Sequence, residues 1–312
     1  MSFVKTFFCF FLLLQFTESA KPQGIGNLSL GQIEDTLSIL IKHVPSEESF
    51  SVREEYNNKF TELFRLALSK EGAFEYPFDS LKHVGRVSSD DGKLRVFTWN
   101  LPQIGGYQNY YGFILFKKGK NKTLLFELND SRKSITDPAK EILNKKNWIG
   151  ALYYSVIEET YKGKSYYLLL GFDFNDVFSS KKIIEVLTFG NDSEPIFGSD
   201  VFKVDNNLIA RVVFEYSARV TMTLHYVSDK QTIIFDHLSP YRPDFAGNYQ
   251  FYGPDFTFDG FKFDKGYWIY VRNLDIRNPR KEPAKPKDSP EKLPEPGFLY
   301  KSKGGVPMKI SK

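Results

Sequence analysis

Four histidines, His43, His83, His225 and His237, offer acid–base or metal chemistry, because imidazole titrates near neutral pH and is the commonest metal ligand. No two of them stand at the H-x-x-x-H spacing that sets two rings on one helix face. His43 falls at the end of an expected helix and His83 in a loop. His225 shares the polar side of a strand with Thr221 and Thr223, opposite Val220, Met222, Leu224 and Tyr226. Asp236-His237 is a closer juxtaposition of acid and base. Neighbouring strand residues point to opposite faces, however, so Asp236 is not expected to orient the ring beside it.

The carboxylates form two sequence groups, Asp244, Asp255, Asp259 and Asp264 near the last strands, and Asp173 with Asp176. Glycoside hydrolysis needs two carboxylates at a set separation across the sugar. A carbohydrate-active hydrolase using two of Asp236, Asp244, Asp255 and Asp259 is therefore the competing functional reading. The run from Asp255 to Gly260 lacks the spacing of a calcium loop, and turn and edge positions account for most of these aspartates. There is no G-x-S-x-G elbow and no glycine-rich phosphate loop. No catalytic residue, metal or cofactor is assigned.

One segment stands apart. Leu238 to Pro254, 17 residues, holds Tyr241, Phe245, Tyr249, Phe251 and Tyr252 among prolines and glycines. Long irregular segments inside a compact β fold are commonly functional. Rings exposed among polar groups make a stacking surface for a sugar or peptide. The ligand-binding candidates are Tyr241, Arg242, Asp244, Tyr249, Tyr252, Asp255 and His237. The opposing reading is that the loop plugs the end of the sheet, with its rings in the core.

The elements that must position these residues are mainly β. Ile33, Leu37, Leu40 and Ile41 share one helical face, and Ser29 with Gln32 forms a capping box before it. Tyr56, Phe60, Leu63, Phe64 and Ala67 form the stripe of a second helix, with Ser51 and Glu54 at its start and Gly72 at its stop. From Leu94 the period changes to two. Strands are expected near 94–100, 110–117, 122–128, 151–158, 165–172, 182–189, 195–203, 208–216, 219–227, 231–237, 256–263 and 267–272. Links such as Lys162-Gly163-Lys164 and Asp264-Lys265-Gly266 suit hairpins. A short helix is expected at Asp137-Pro138, burying Ile142 and Leu143. The fold class is thus mainly β (α+β): an N-terminal helical segment packed on an antiparallel meander of about twelve strands, closed or two-layered, with one short inserted helix.

The chain's start reads as an export signal. A short basic stretch precedes the apolar run Phe7 to Phe16, and the small residues Ser19 and Ala20 follow. That run is about ten residues, where a membrane span needs ~20. Removing 1–20 removes Cys9, the one cysteine, so the mature chain is expected to have neither disulfide nor thiolate site. Residues 21–271 carry 30 basic and 32 acidic residues, and residues 272–312 carry 11 and 5. The basic excess therefore belongs to the tail, and the folded part lacks the positive surplus typical of nucleic-acid binding. Seven prolines among lysines between Pro279 and Pro307 read as an extended or disordered tail. The organisation expected is a signal peptide over 1–20, a helical segment over 21–75, a β domain over 76–275 and the tail over 276–312. Four N-x-S/T sequons, at Asn27, Asn121, Asn129 and Asn191, are near the number chance supplies.

Several runs occur together: Ser89 to Lys93 leading to Trp99, Tyr166 to Gly171, Lys181 to Leu187, Val213 to Ala218, Phe235 to Leu238, and Tyr249 to Asp255. Their order and spacing resemble a family of uncharacterised secreted or periplasmic proteins of Bacteroidetes bacteria. The resemblance covers about 90 to 280 and implies a bacterial envelope location, with no catalytic residue to carry over. The functional expectation is an exported, envelope-associated protein with a non-enzymatic binding or structural role, periplasmic or extracellular. Its partner is expected to be an envelope glycan or protein reached through the 238–254 loop. A third reading makes it an accessory partner of a secretion or surface machine, contacted by the tail.

Overall fold

A computed structural model describes residues 28–119 and 122–276. The expected export signal with Cys9, the sequons at Asn27 and Asn121, and the expected tail from 277 onward lie outside the described residues. The chain divides into Met1–Asp275 and Ile276–Lys312, and the described elements all lie in the first unit.

Helix α1 spans Leu30–Ser46 and buries Ile33, Leu37, Ile41 and Val44. Ser29 and Gln32 form the capping box at its start, each side chain meeting the other's backbone N–H. Helix α2 spans Phe50–Leu68 with Ser49, rather than Ser51, at the N-cap. Its buried face is Asn57, Phe60, Thr61, Phe64, Ala67 and Leu68.

The strands build three sheets rather than one meander. The first is a hairpin series of β1 (Gly85–Ser88), β2 (Leu94–Pro102), β3 (Gln108–Lys118) and β4 (Lys122–Asn129). The second contains β5 (Leu143–Asn144), β6 (Leu152–Tyr161), β7 (Lys164–Asp173), β8 (Ser179–Phe189) and β9 (Pro195–Phe197). The third contains β10 (Phe202–Val204), β11 (Asn207–Ile209), β13 (Leu224–Val227), β14 (Thr232–Pro240), β15 (Tyr252–Asp264) and β16 (Tyr267–Val271). Strand β12 (Val212–Ser217) returns to the second sheet and pairs with the first half of β8, while β9 pairs with its last residues. Pairing is antiparallel except between β10 and β16. Among the described residues the sheets stay open and form no closed barrel.

Three buried clusters separate four layers. Helices α1 and α2 cover Phe97, Trp99, Leu101, Phe113 and Leu115 of the first sheet. The opposite face of that sheet, with Leu94, Val96 and Ile114, packs on Tyr153, Tyr167, Leu169 and Ile183 of the second. The far face of the second sheet, with Tyr166, Leu168, Leu170 and Ile184, packs on Ile233, Phe235, Phe261 and Trp268 of the third. The two inner sheets are thus apolar on both faces. Continuous runs such as Tyr166 to Leu170 follow from that burial, as they do in sheets covered on both sides.

The chain changes sheet between β9 and β10, which splits the single strand expected over 195–203. Gly198 makes the break at φ +96°, and a Cβ there would sit 3.2 Å from the Glu141 carbonyl oxygen. Arg211 closes the crossing on its return. It is fully buried, donates Nε–H to Glu185 Oε2 at 2.6 Å, and also donates to the carbonyls of Pro138 and Glu141. The Ala139 carbonyl accepts the N–H of Ala210. These bonds correct the expected inserted helix. The N–H groups of Lys140 and Glu141 both reach the Asp137 carbonyl, but the next carbonyls are taken by 210–211. A helix cannot propagate when its acceptors are engaged elsewhere, so 137–141 is one turn. Leu143 is buried and Ile142 is exposed.

Candidate functional site

The ladder between β14 and β15 is regular up to the pair Asp236 and Phe258, and resumes at Leu238 and Pro254. One residue, His237, therefore faces three, Asp255 to Thr257. Such irregularities re-aim side chains and recur beside active sites. Here the bulge turns His237 toward Asp259, which pairs opposite Phe235 on the neighbouring strand. His237 Nδ1 lies 2.7 Å from Asp259 Oδ2. Asp259 also accepts from the Tyr270 hydroxyl and, at 3.0 Å, from the Asn273 N–H. On the other side of the ring, Nε2 stands 3.9 Å from Asp255 Oδ2. Asp255 Oδ1 in turn accepts from the Thr257 N–H and hydroxyl.

Asp236 does not join this group. It is buried and accepts the Thr223 N–H at 2.7 Å, tying down the chain just before β13. The orienting acid for His237 is 22 residues away in sequence, on the adjacent strand.

The Asp259 carboxyl is pulled two ways. Burial, the largest influence, acts to raise it, and the hydrogen bonds from His237, Tyr270 and Asn273 together outweigh burial and hold it below the ordinary carboxylate value. Tyr270, partly buried and bonded to that carboxylate, is pushed up to about 12. A carboxyl lowered by folding contributes stability above its unfolded value, about 3.9, and loses it as pH falls through the folded value. Asp259→Asn is therefore expected to cost about 2 kcal/mol at neutral pH and to flatten the loss of stability between about pH 5 and pH 3. Urea unfolding at several pH values checks this; parallel wild-type and variant curves would contradict it.

His237 lies on the wall of a cleft of about 370 Å³ at the mouth between the second and third sheets. Its lining is mostly apolar: Val204, Ile209, Val212, Phe214, Phe235, Leu238 and Phe261, with Tyr270, Asp236, Asp259 and Arg272. Val212 and Phe214 come from β12 of the second sheet, and the rest from the third sheet and its flanks.

The 238–254 segment is less irregular than its composition suggests. Leu238, Ser239 and Pro240 pair with Pro254, Gly253 and Tyr252, so the true loop is 241–251. It is knitted by its own side chains. Phe245 stacks on Phe251 with centroids 4.2 Å apart. Arg242 pairs with Asp244 and lies over the Phe245 ring. The Gly247 N–H donates to the Tyr252 hydroxyl. Tyr241 covers Gly253, where a Cβ would come within 2.9 Å of the ring. The rings of Tyr241 and Tyr249 are 55% and 48% exposed, so the loop is neither a core plug nor an open aromatic face. Its turn Tyr249–Phe251 lies against β12.

Of the seven predicted site residues, His237 lines the cleft and Asp255 approaches the His237 ring. Arg242 and Asp244 spend their charges on each other, Tyr241 and Tyr249 belong to the loop, and Tyr252 opens β15. Sequence reasoning missed the pairing of His237 with Asp259, and missed Phe214, Tyr270 and Arg272. Only strand register could have revealed them. The remaining histidines have ordinary places: His43 bonds Glu47 and stacks on Tyr56, while His83 and His225 are exposed.

A second cleft, about 390 Å³, is lined by Tyr110, Asp130 and Arg132 among others. Arg132 is held by Asp130 at 2.8 Å and Asp173 at 2.9 Å, over the Tyr110 ring. Asp130 also accepts the Tyr110 N–H. This network ties the end of the first sheet to the second, with one arginine shared between two carboxylates. Among the described residues, no group of three or more His, Cys, Asp or Glu is placed to hold a metal ion, and no helix is long and apolar enough to cross a membrane. No family model matches the chain, and neither a curated protein nor a solved structure matches it.

Proposed function

We propose that the protein is an exported, envelope-associated binding protein without catalytic turnover, and that its ligand enters the cleft between the second and third sheets. The observation behind this reading is the cleft itself, an apolar wall with one histidine pinned at its rim by a buried carboxylate. Small-molecule sites have this character, a mostly apolar lining with a few fixed polar groups that set orientation. The export signal and the resemblance to secreted or periplasmic proteins of Bacteroidetes bacteria support the envelope location. The exposed Tyr241 and Tyr249 rings, in the loop against β12, offer a rim for whatever glycan or protein carries the ligand.

Binding is favoured over paired-aspartate hydrolysis by what the aspartates do. Asp259 is held ionised by three donors and is poorly suited to deliver a proton. Asp236 is committed to Thr223, and Asp244 to Arg242. The test fills the cleft. Ile209→Trp is expected to abolish saturation transfer to n-octanol in ligand-observed NMR while leaving the unfolding midpoint nearly unchanged. Equal transfer in the wild type and a folded Ile209→Trp variant would overturn the reading.

A further inference from the structure

Phe256 gives the fold nothing that the structure reveals. Its side chain is 93% exposed, and its backbone lies at φ +69°, in the left-handed region that side-chain-bearing residues rarely occupy. A large apolar ring held in solvent on a disfavoured backbone is a feature expected of a binding surface rather than a core. Its position is fixed by the bulge, since it sits between Asp255 and Thr257, which bond to each other, and opposite His237.

The polar groups beside it are spaced for a guest. With Nδ1 engaged by Asp259, the ring of His237 has Nε2 left over. Nε2 and Asp255 Oδ2 are 3.9 Å apart, too far to bond each other. With Nδ1–H donating to Asp259, Nε2 is the ring's remaining acceptor, and two neighbouring hydroxyls of one guest can donate to the pair, one to Nε2 and one to the Asp255 carboxylate. A solvent-exposed aromatic ring next to such a pair of acceptors suits a sugar, which offers a C–H face for stacking and adjacent hydroxyls to donate. The same histidine forms part of the apolar cleft wall.

We propose that the β14–β15 bulge is a sugar-binding subsite formed by Phe256, His237 and Asp255, and that the ligand is of glycolipid type, its sugar on the bulge and its alkyl or acyl tail in the cleft. The proposal rests on the binding reading of the cleft. Isothermal titration of the whole protein with n-octyl β-D-glucoside (kept below its micelle concentration), n-octanol and free glucose separates the two. The glucoside is expected to bind more tightly than either fragment. Phe256→Ala is expected to weaken the glucoside about tenfold, the scale of one lost ring contact, and to leave n-octanol unchanged. Phe256→Gly relieves the backbone and is expected to remain at least as stable as wild type with the same loss. If the glucoside and n-octanol bind alike and neither Phe256 variant matters, the sugar subsite is wrong and the cleft reading stands. If n-octanol does not bind, the cleft reading fails. If glucose binds as tightly as the glucoside and depends on Phe256, the ligand is a free sugar and the glycolipid assignment is wrong.

Discussion

Arg211→Met is expected to lower the unfolding free energy by about 3–5 kcal/mol. Both members of the Glu185–Arg211 pair are fully buried, with 2.6 Å between Nε and Oε2. Removing the arginine leaves a carboxylate in the interior without its counter-charge, and strips donors from the Pro138 and Glu141 carbonyls. Burial is the largest influence on Glu185 and raises its carboxyl, with Arg211 opposing. A raised carboxyl contributes its full stability below the unfolded value, about 4.3, and loses it as pH rises through the folded value. Without Arg211 the folded value rises further, so the loss in Arg211→Met is expected to be greater at pH 7 than near pH 4. The double variant Glu185→Leu/Arg211→Met is expected to recover much of it, because apolar replacement of a whole buried pair is often neutral or better. Urea denaturation of the three proteins decides; a loss under about 1 kcal/mol in the single variant would mean the pair is not isolated from water.

The second large effect lies in the helical layer. Phe64 on α2 is fully buried, and its ring meets Phe78, Phe97 and Phe113 edge-on at 5.4, 5.3 and 5.7 Å. It is one of the contacts through which α2 covers the first sheet, beside Phe60 against Trp99. Phe64→Ala removes a ring from a close-packed cluster in which Phe97 and Phe113 are held on paired strands, so little collapse can fill the space. The expected cost is about 3–5 kcal/mol. Leu66→Ala, on the same helix but 38% exposed, is expected to cost under about 1 kcal/mol. Similar losses in both would indicate that the helix is stabilised by its own propensity rather than by this docking.

Local signals were legible before the fold was known. The capping box at Ser29 and the stripe Ile33, Leu37 and Ile41 locate α1, because both depend on residues within one or two turns. Lys162-Gly163 marks the turn between β6 and β7, and both residues take positive φ there. Layering was harder to read. A strand buried on both faces carries no polar alternation, so Tyr166 to Leu170 gives no hint that its two faces meet different sheets. The single turn at Asp137 was hidden because its carbonyls are taken by Ala210 and Arg211 from a distant point in the chain. The candidate site shows the limit most plainly. His237 and Asp255 stood out by residue type, whereas the acid that orients His237 is set by strand register and by a bulge, neither of which leaves a local pattern. The aromatic segment drew attention through composition, yet four of its five rings, Tyr241, Phe245, Phe251 and Tyr252, are used to hold it together.

The most direct test of a ligand site between the second and third sheets is a chemical-shift map of the ¹⁵N-labelled protein titrated with n-octyl β-D-glucoside. The shifts are expected to concentrate on Ile209, Phe214, Phe235, His237 and Tyr270, extend to Phe256, and vanish from the cleft residues in Ile209→Trp. Shifts confined to the 241–251 loop, or scattered over the surface without saturation, would contradict the account.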